Sequence, residues 1–195
     1  MPEGLKVLVL LGSPRRNRFS EQLTDQFLAP LLEAGCTVRK LAVSTLSIRP
    51  CTGCDSCRHT GRCVFRDDMD EVMEALDAAD WVVLTSPMYF NSVTGALKVL
   101  IDRCQPYWAR KFVLKLPPVR PGRRGVLLMS AGVAQTAANL EGARRVADYF
   151  FKAQDIAFSD MLCADRTDAA DGAHLEQVSA QGAALARRLL QEAFL

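Results

Sequence analysis

Four of the seven cysteines lie within thirteen residues, in the segment CTGCDSCRHTGRC over 51–63. Cys51, Cys54, Cys57 and Cys63 have the spacing C-x2-C-x2-C-x5-C, and two-residue gaps let successive thiolates converge on one centre from a tight loop. Four soft ligands suit a [4Fe–4S] cluster or tetrahedral zinc, and three cysteines at two-residue intervals are more typical of cluster binding. From the spacing alone, a cluster, a zinc ion and a set of uncoordinated thiols all stay open.

The segment GSPRRNRFS over 12–20 offers donors for a phosphate group. Ser13 and Ser20 supply hydroxyls, Asn17 an amide and Arg15 a positive charge, and the helix predicted to follow presents free backbone N–H groups at its start. The segment contains neither the dinucleotide fingerprint G-x-G-x-x-G nor the Walker pattern. It therefore predicts a cradle for a single phosphate, unless Ser20 only caps the helix and the arginines are solvated.

Two further segments favour a planar ligand. In SPMYFNS over 86–92, a sharp turn is combined with flat or polarisable apolar side chains that could contact a planar ring. The alternative is that these side chains are ordinary core residues. The small, glycine-containing segment SAGVAQ over 130–135 would let the backbone approach a ligand closely.

The elements that must position these segments alternate along the chain. Apolar runs predict strands over 6–11, 37–43, 81–86, 125–130 and 156–162, and segments of helical period predict helices over 20–35, 70–80, 93–104, 138–153 and 173–194. The basic stretch 110–124 is interpreted as a mobile surface loop before the fourth strand, with a site that grips a nicotinamide dinucleotide phosphate as the alternative. Continuous apolar runs indicate strands that are buried on both faces. Strict alternation therefore predicts an α/β fold, a doubly wound parallel sheet with helices on both sides and ligands at the carboxyl ends of its strands.

Composition narrows the class of protein further. The chain has 195 residues, 49% of them hydrophobic, which suits a single globular domain. The formal net charge is +2, so the totals indicate neither nucleic acid nor another strongly charged partner. The apolar run at 7–11 is too short for a signal peptide or a membrane span, and we expect a cytoplasmic protein. Thiols stay reduced there, which favours metal or redox chemistry over disulfides.

Three segments in this order and spacing, GSPRRNRFS, CTGCDSCRHTGRCVFRDDM and SPMYFNSVTGALKVLIDR, resemble the flavodoxin-fold NADPH-dependent FMN reductase and iron–sulfur flavoprotein family. The resemblance covers residues 5 to about 104. It implies a flavodoxin-like five-stranded sheet of order 2-1-3-4-5 with FMN at its carboxyl edge. It also implies one FMN-binding domain over 1–195 with a cysteine-rich loop at 47–68, assembled as a homodimer or homotetramer.

The resemblance assigns a role to each matched position. The FMN phosphate would be held by Ser13, Arg15, Asn17 and Ser20. The isoalloxazine would be lined by Pro87, Met88, Tyr89, Phe90 and Asn91 and closed on its far side by Ser130, Ala131 and Gly132. Backbone N–H groups of the 87–91 loop would stabilise negative charge on the reduced ring. The four cysteines have the compact pattern of iron–sulfur flavoproteins.

The function implied is that of an FMN-dependent oxidoreductase. Electrons would pass between NAD(P)H or a ferredoxin-like carrier, FMN and a [4Fe–4S] cluster, and then to a small-molecule or protein acceptor. One alternative is a cluster-free NAD(P)H-dependent FMN or quinone reductase, and a remote one is a zinc-stabilised, non-catalytic interaction domain. The chain has two histidines and no Ser-His-Asp set, so no catalytic acid or base is predicted.

Overall fold

The computed structural model describes residues 4–193. The strands are β1 Lys6–Leu11, β2 Thr37–Ala42, β3 Trp81–Pro87, β4 Arg123–Ser130 and β5 Ile156–Ala164. The α-helices are α1 Phe19–Glu33, α2 Ser56–Thr60, α3 Met69–Ala78, α4 Gly95–Asp102, α5 Gln105–Trp108, α6 Ala137–Ala153 and α7 Gly172–Glu192. Short 3-10 turns at Val43–Thr45 and Thr167–Ala169 follow β2 and β5, and a π-helical turn at Ala109–Val113 follows α5.

The five strands form one sheet in the order β2-β1-β3-β4-β5, and every neighbouring pair is parallel. This confirms the predicted flavodoxin-like order. Because β1 lies between β2 and β3, the chain leaves β1 and β3 in opposite directions across the sheet. That reversal opens a crevice at the carboxyl ends of these two strands, which is where such sheets bind ligands.

The core consists of two apolar layers, one on each face of the sheet. Along β1, Leu8 and Leu10 pack in the layer formed with α3, α4 and α6, whereas Val7, Val9 and Leu11 pack in the layer formed with α1 and α7. A strand that is buried on both faces is apolar along its length, which is why β1 shows an unbroken apolar run over 7–11, whereas the edge strand β2 carries the exposed residues Arg39 and Lys40. Val93, Leu97, Leu100 and Cys104, which all belong to the helix predicted over 93–104, also pack in the first layer.

Gly125 in β4 packs directly under the buried ring of Phe151. A Cβ atom at this position would lie 2.6–2.8 Å from three ring atoms of Phe151, a side chain with no exposed surface. We expect Gly125→Ala to lower the free energy of unfolding by about 1–3 kcal/mol, since overpacking forces the ring or the strand to move. Gly95→Ala is the matched control, because a Cβ there meets no atom within 4 Å. Urea denaturation of both variants measures the difference, and equal stabilities would contradict this account.

The prediction for 110–124 is only partly correct. The chain continues in helical turns through Val113, and Arg123 and Arg124 already belong to β4, where Arg123 is buried. The helical turn follows Tyr107, whose hydroxyl donates to Asp77 Oδ1 at 2.7 Å and lies 3.1 Å from the Met73 carbonyl oxygen. These partners are about thirty residues away in sequence, so no local sequence pattern predicts the helical turn over 109–113. Residue 194 of the last predicted helix lies outside the described residues.

None of the helices in residues 4–193 is both long enough and apolar enough to cross a membrane.

Candidate functional site

The loop after β1 is fixed at Gly12 by two hydrogen bonds to neighbouring elements. Gly12 donates its N–H to the Thr85 carbonyl at 2.7 Å, and its carbonyl accepts from Thr94 Oγ1 at 2.7 Å. A Cβ atom at Gly12 would lie 2.9 Å from the Thr85 carbonyl and from Leu97. Glycine therefore lets β1, β3 and the start of α4 approach closely, and this approach sets the position of the loop over 13–18.

The start of α1 faces the same loop. Arg18 precedes the helix in an extended conformation and makes no side-chain cap, so the N–H groups of Phe19 and Ser20 stay available to an anion, whereas that of Glu21 donates to the Arg18 carbonyl at 2.8 Å. Ser20 is buried, and its Oγ lies 2.6 Å from the Ser130 Oγ at the end of β4. This contact joins the phosphate-type loop to the segment predicted to close the far side of the ring.

A cavity of about 310 Å³ lies at this carboxyl edge. Eight of the twelve predicted flavin-site residues line it, namely Ser13, Arg15, Ser20, Pro87, Met88, Tyr89, Ser130 and Gly132. Arg15 and Arg18 bring positive charge, and Met88 and Tyr89 bring apolar surface. Charge and hydroxyls beside a helix start, with a flat apolar wall, are the groups that a phosphorylated planar cofactor requires. The residues present therefore fit FMN.

The other four predicted residues lie outside the cavity lining. Asn17 adopts a positive φ of 55° and donates its backbone N–H to Glu21 Oε2 at 2.8 Å, which turns this residue toward α1. Phe90 and Asn91 form the tip of a tight turn, and Ala131 donates its N–H to the Ala164 carbonyl at 2.8 Å. The roles assigned to these residues stay predictions.

The tight turn leaves fewer backbone N–H groups in the 87–91 loop for a flavin ring than the sequence analysis expects. Met88 donates its N–H to the Ser130 carbonyl at 2.7 Å, and Tyr89 donates to the Ser92 carbonyl at 3.0 Å. Pro87 has no N–H, so only the N–H groups of Phe90 and Asn91 remain from this loop. The loop therefore contributes mainly side-chain surface to the cavity, and less hydrogen bonding than the sequence predicts.

The turn after β5 also lines this cavity, although the sequence patterns did not predict it. Thr167 donates its N–H to the Ala131 carbonyl at 3.0 Å and Asp168 donates to the Gly132 carbonyl at 3.1 Å, so both residues reach the cavity. A Cβ atom at Gly132 would overlap the Asp168 carboxylate, and glycine leaves that space free. The rule that ligands bind beyond the carboxyl ends of parallel strands points to this segment, because it directly follows β5.

The cysteine loop over 47–68 forms a second cavity of about 460 Å³. All four predicted ligands line it, together with Arg58, Phe65, Arg103 and Trp108. Cys51 and Cys54 are exposed, whereas Cys57 and Cys63 are half-buried. Asp55 and Gly61 adopt left-handed backbone conformations on either side of α2, and these reversals fold the loop around the cavity.

Asp67 and Asp68 close the base of this loop. The Asp68 carboxylate accepts the Ser47 N–H at 2.7 Å, and the Asp67 carboxylate accepts the N–H groups of Arg49 and Met69, both at 3.1 Å. Asp67 also accepts two hydrogen bonds from the Arg103 guanidinium, at 2.7 and 3.1 Å. Both ends of the cysteine loop are thereby tied to the C-terminal end of α4.

The thiols around the cavity affect one another electrostatically. Burial raises the pKa of the Cys57 thiol, and negative charge on Cys51, Cys54 and Cys63 raises it further. Burial acts to lower the pKa of Arg103, but its hydrogen bonds with Asp67 and the negative charge of the adjacent Cys63 raise it overall. Four thiolates here repel one another, and a bound cationic centre would relieve that repulsion.

The thiols surround the cavity without forming a finished ligand set. Within the described part of the chain, no three His, Cys, Asp or Glu side chains are gathered so that they could hold a metal ion. A zinc ion with Zn–S bonds of about 2.3 Å would need its thiolates within about 4 Å of each other. The donor types and the shared cavity fit a metal centre, but the ligand set stays a prediction. The remaining cysteines are buried at Cys36 and Cys104 and half-buried at Cys163.

Helix α4 runs from the base of the loop after β1 to the cysteine cavity. Thr94 caps its start beside the flavin-type crevice, where it contacts Gly12 and accepts the Leu97 N–H. Val99, Asp102 and Arg103 at the other end line the cysteine cavity. Eight residues of α-helix span about 12 Å, so one short helix separates the Gly12 contact at its start from the cysteine cavity at its end.

The sequence is similar to one protein family and to several curated proteins. Residues 5–158 match the family described as NADPH-dependent FMN reductase. An iron-sulfur flavoprotein of Archaeoglobus fulgidus is 37% identical over 131 residues, which cover 67% of this chain and 57% of that protein. An iron-sulfur flavoprotein of Methanocaldococcus jannaschii is 34% identical over 102 residues, covering 52% of this chain and 53% of that protein. The matched region thus spans little more than half the length of these curated relatives.

A solved structure with a similar fold is an FMN-dependent NADH-azoreductase from Bacillus anthracis in complex with FMN. Its TM-score is 0.72 at 16% identity, and the match covers 94% of this chain and 99% of that one. At this identity the likeness bears on the fold alone.

Proposed function

The chain belongs to the NADPH-dependent FMN reductase family, and on this premise we propose that it is an FMN-dependent oxidoreductase of the iron–sulfur flavoprotein type. In this proposal one domain carries both FMN and a [4Fe–4S] cluster, and the cluster is ligated by Cys51, Cys54, Cys57 and Cys63. The electron donor is NAD(P)H or a ferredoxin-like carrier, and the acceptor is a small molecule or a protein.

One observation carries the proposal: the residues predicted for the two cofactors line two separate cavities. One is lined by eight of the residues predicted for FMN, and the other by all four clustered cysteines. When bound, FMN accepts a hydride and can release electrons singly, and a cluster carries single electrons. A two-electron site beside a one-electron site is what coupling these two kinds of carrier requires.

In this mechanism, the chain's own residues bind the two cofactors and orient them. Arg15, Arg18 and the start of α1 would hold the phosphate, and Pro87, Met88 and Tyr89, which line the same cavity, would lie against the ring. Asp168 lies in the same cavity, where its carboxylate can accept a hydrogen bond from a ring N–H. Around the cysteines, Arg103 places a buried positive charge next to the thiolates.

The test is purification without oxygen, followed by a visible spectrum and analysis for iron, acid-labile sulfide, zinc and FMN. We expect flavin bands together with broad brown absorbance in the unaltered protein. Cys54→Ala is expected to lose the brown absorbance and most of the iron while it keeps FMN, because it removes one thiolate ligand and leaves the carboxyl-edge cavity untouched. Cys36→Ala is the matched control, since Cys36 is buried in the opposite layer with α1 and α7.

Each outcome separates the candidate functions. Flavin without iron or sulfide, unchanged by Cys54→Ala, would favour the cluster-free NAD(P)H-dependent FMN or quinone reductase, whose cavity is complete without the cysteines. Stoichiometric zinc without flavin would favour the non-catalytic interaction domain. Equal loss of iron in Cys36→Ala would contradict the ligand assignment.

We also propose that two or four copies assemble. Trp108 and Tyr149 are 38% and 67% exposed and border a groove of about 350 Å³ between α4, α5 and α6, which a second copy would cover. Sedimentation analysis tests this, and a monomer at micromolar concentration would contradict it.

A further inference from the structure

Arg103 is the one fully buried charge at the cysteine cavity. Its side chain is 1% exposed, and it sits at the C-terminal end of α4. The terminal nitrogens are bound: Nη1 donates to the Arg49 carbonyl and to Asp67 Oδ2, both at 2.7 Å, and Nη2 donates to Asp67 Oδ1 at 3.1 Å. A buried guanidinium held this firmly cannot turn away from the cavity that it lines.

One nitrogen of this guanidinium, Nε, makes no hydrogen bond within residues 4–193. In the described part of the chain, Arg103 Nε is one of only three buried side-chain nitrogen or oxygen atoms without a hydrogen bond. Buried donors are rarely left unpaired, so each such atom calls for an explanation. The other two, on Gln135 and Gln154, are carbonyl oxygens remote from the cysteine loop in sequence.

The groups around Arg103 limit what its missing partner can be. Asp67 and the Arg49 carbonyl already occupy the terminal nitrogens, and the Phe65 ring lies 5.1 Å from the guanidinium carbon. Cys63 precedes Phe65 by two residues and lines the same cavity as Arg103. A neutral thiol is a weak acceptor, whereas a metal-bound thiolate carries a negative charge and accepts a strong hydrogen bond from a guanidinium N–H. Arg103 Nε therefore gains a suitable acceptor when Cys63 is bound to a metal centre.

We propose that Arg103 is a positioning residue for the cysteine-bound cluster, whose Nε–H donates to the Cys63 thiolate and thereby raises the reduction potential of the cluster. This inference rests on the cluster in the proposed function. Hydrogen bonds to cluster sulfurs and nearby positive charge favour the reduced state, because that state carries one more negative charge. Asp67 acts through Arg103, since it fixes the orientation of the guanidinium.

The test is an anaerobic redox titration of the cluster in the unaltered protein, Arg103→Gln, Arg103→Lys and Arg58→Gln. We expect Arg103→Gln to keep its iron and sulfide while the equilibrium constant for one-electron reduction falls about tenfold, which is about 59 mV. Arg103→Lys keeps the charge but lacks the Nε–H, and we expect a smaller fall in the same direction. Arg58 lines the same cavity from an exposed position, so Arg58→Gln should change the constant less than threefold.

The outcomes distinguish this inference from the proposed function. Iron-loaded Arg103→Gln with an unchanged potential, or with a shift no larger than that of Arg58→Gln, would overturn the role of Arg103 and leave the cluster in place. An unaltered protein without iron would overturn the cluster and this inference together. If both Arg103 variants fail to fold, pulsed electron paramagnetic resonance of the reduced, unaltered protein with guanidino-15N arginine decides: coupling to 15N supports the hydrogen bond, and its absence overturns it.

Discussion

Replacing Asp67 by alanine is expected to lower the free energy of unfolding by about 3–5 kcal/mol, because it leaves a buried guanidinium without its counter-ion. The side chains of Asp67 and Arg103 are 9% and 1% exposed, and two hydrogen bonds join them. Asp67→Ala also removes the acceptor for the N–H groups of Arg49 and Met69 at the base of the cysteine loop. Urea denaturation of the metal-free protein at neutral pH measures the loss.

Asp70→Ala is the matched control for this prediction. Asp70 pairs with Arg66 at 3.6 Å, but the two side chains are 47% and 69% exposed, so we expect less than about 1 kcal/mol. Similar losses in the two variants would mean that the Asp67–Arg103 pair adds no more than a surface ion pair.

The same pair produces a pH dependence of defined sign. Burial acts to raise the pKa of Asp67, but hydrogen bonds from Arg103, Arg49 and Met69 outweigh burial and hold it below its ordinary value. The unfolded chain therefore binds a proton at higher pH than the folded protein does. The stabilisation is complete above the unfolded pKa of about 4 and is lost as the pH falls through the folded pKa. Asp67→Asn should flatten this acid limb, and an acid limb as steep as that of the unaltered protein would contradict the assignment.

The sheet could be predicted from the sequence because its signal is local. The run from Val7 to Leu11 is apolar at every position, and both faces of β1 are buried as such a run requires. The phosphate-type loop was predictable for a related reason: it follows a strand and precedes a helix, and that order fixes which edge of the sheet it occupies.

The tie between Asp67 and Arg103 could not be predicted, because the residues are 36 positions apart and each looks like an ordinary surface charge in its own segment. Their burial depends on how α4 packs against the cysteine loop. Asp168 is a similar case, since it reaches the flavin-type cavity only through backbone bonds to Ala131 and Gly132. Local patterns thus predicted which loops meet, whereas long-range packing decided which side chains in them face a ligand.

Arg15→Ala is expected to weaken FMN binding about 10- to 100-fold, because it removes a charged donor from the phosphate end of the cavity. The adjacent Arg16 provides a matched control. Arg16 is bound to Glu21 through Nε at 3.1 Å and Nη2 at 2.7 Å and lies outside the cavity lining, so Arg16→Ala should change the affinity far less. Fluorescence titration of the flavin-free protein measures both dissociation constants.

Riboflavin separates a phosphate contact from a general loss of the site. It has the same ring as FMN but no phosphate, so Arg15→Ala should leave its affinity unchanged while that for FMN falls. Added salt should weaken FMN binding to the unaltered protein more than binding to Arg15→Ala, because screening acts on the charge that the variant lacks. If riboflavin and FMN lose affinity in parallel, Arg15 supports the fold of the loop over 13–18 and does not contact the phosphate.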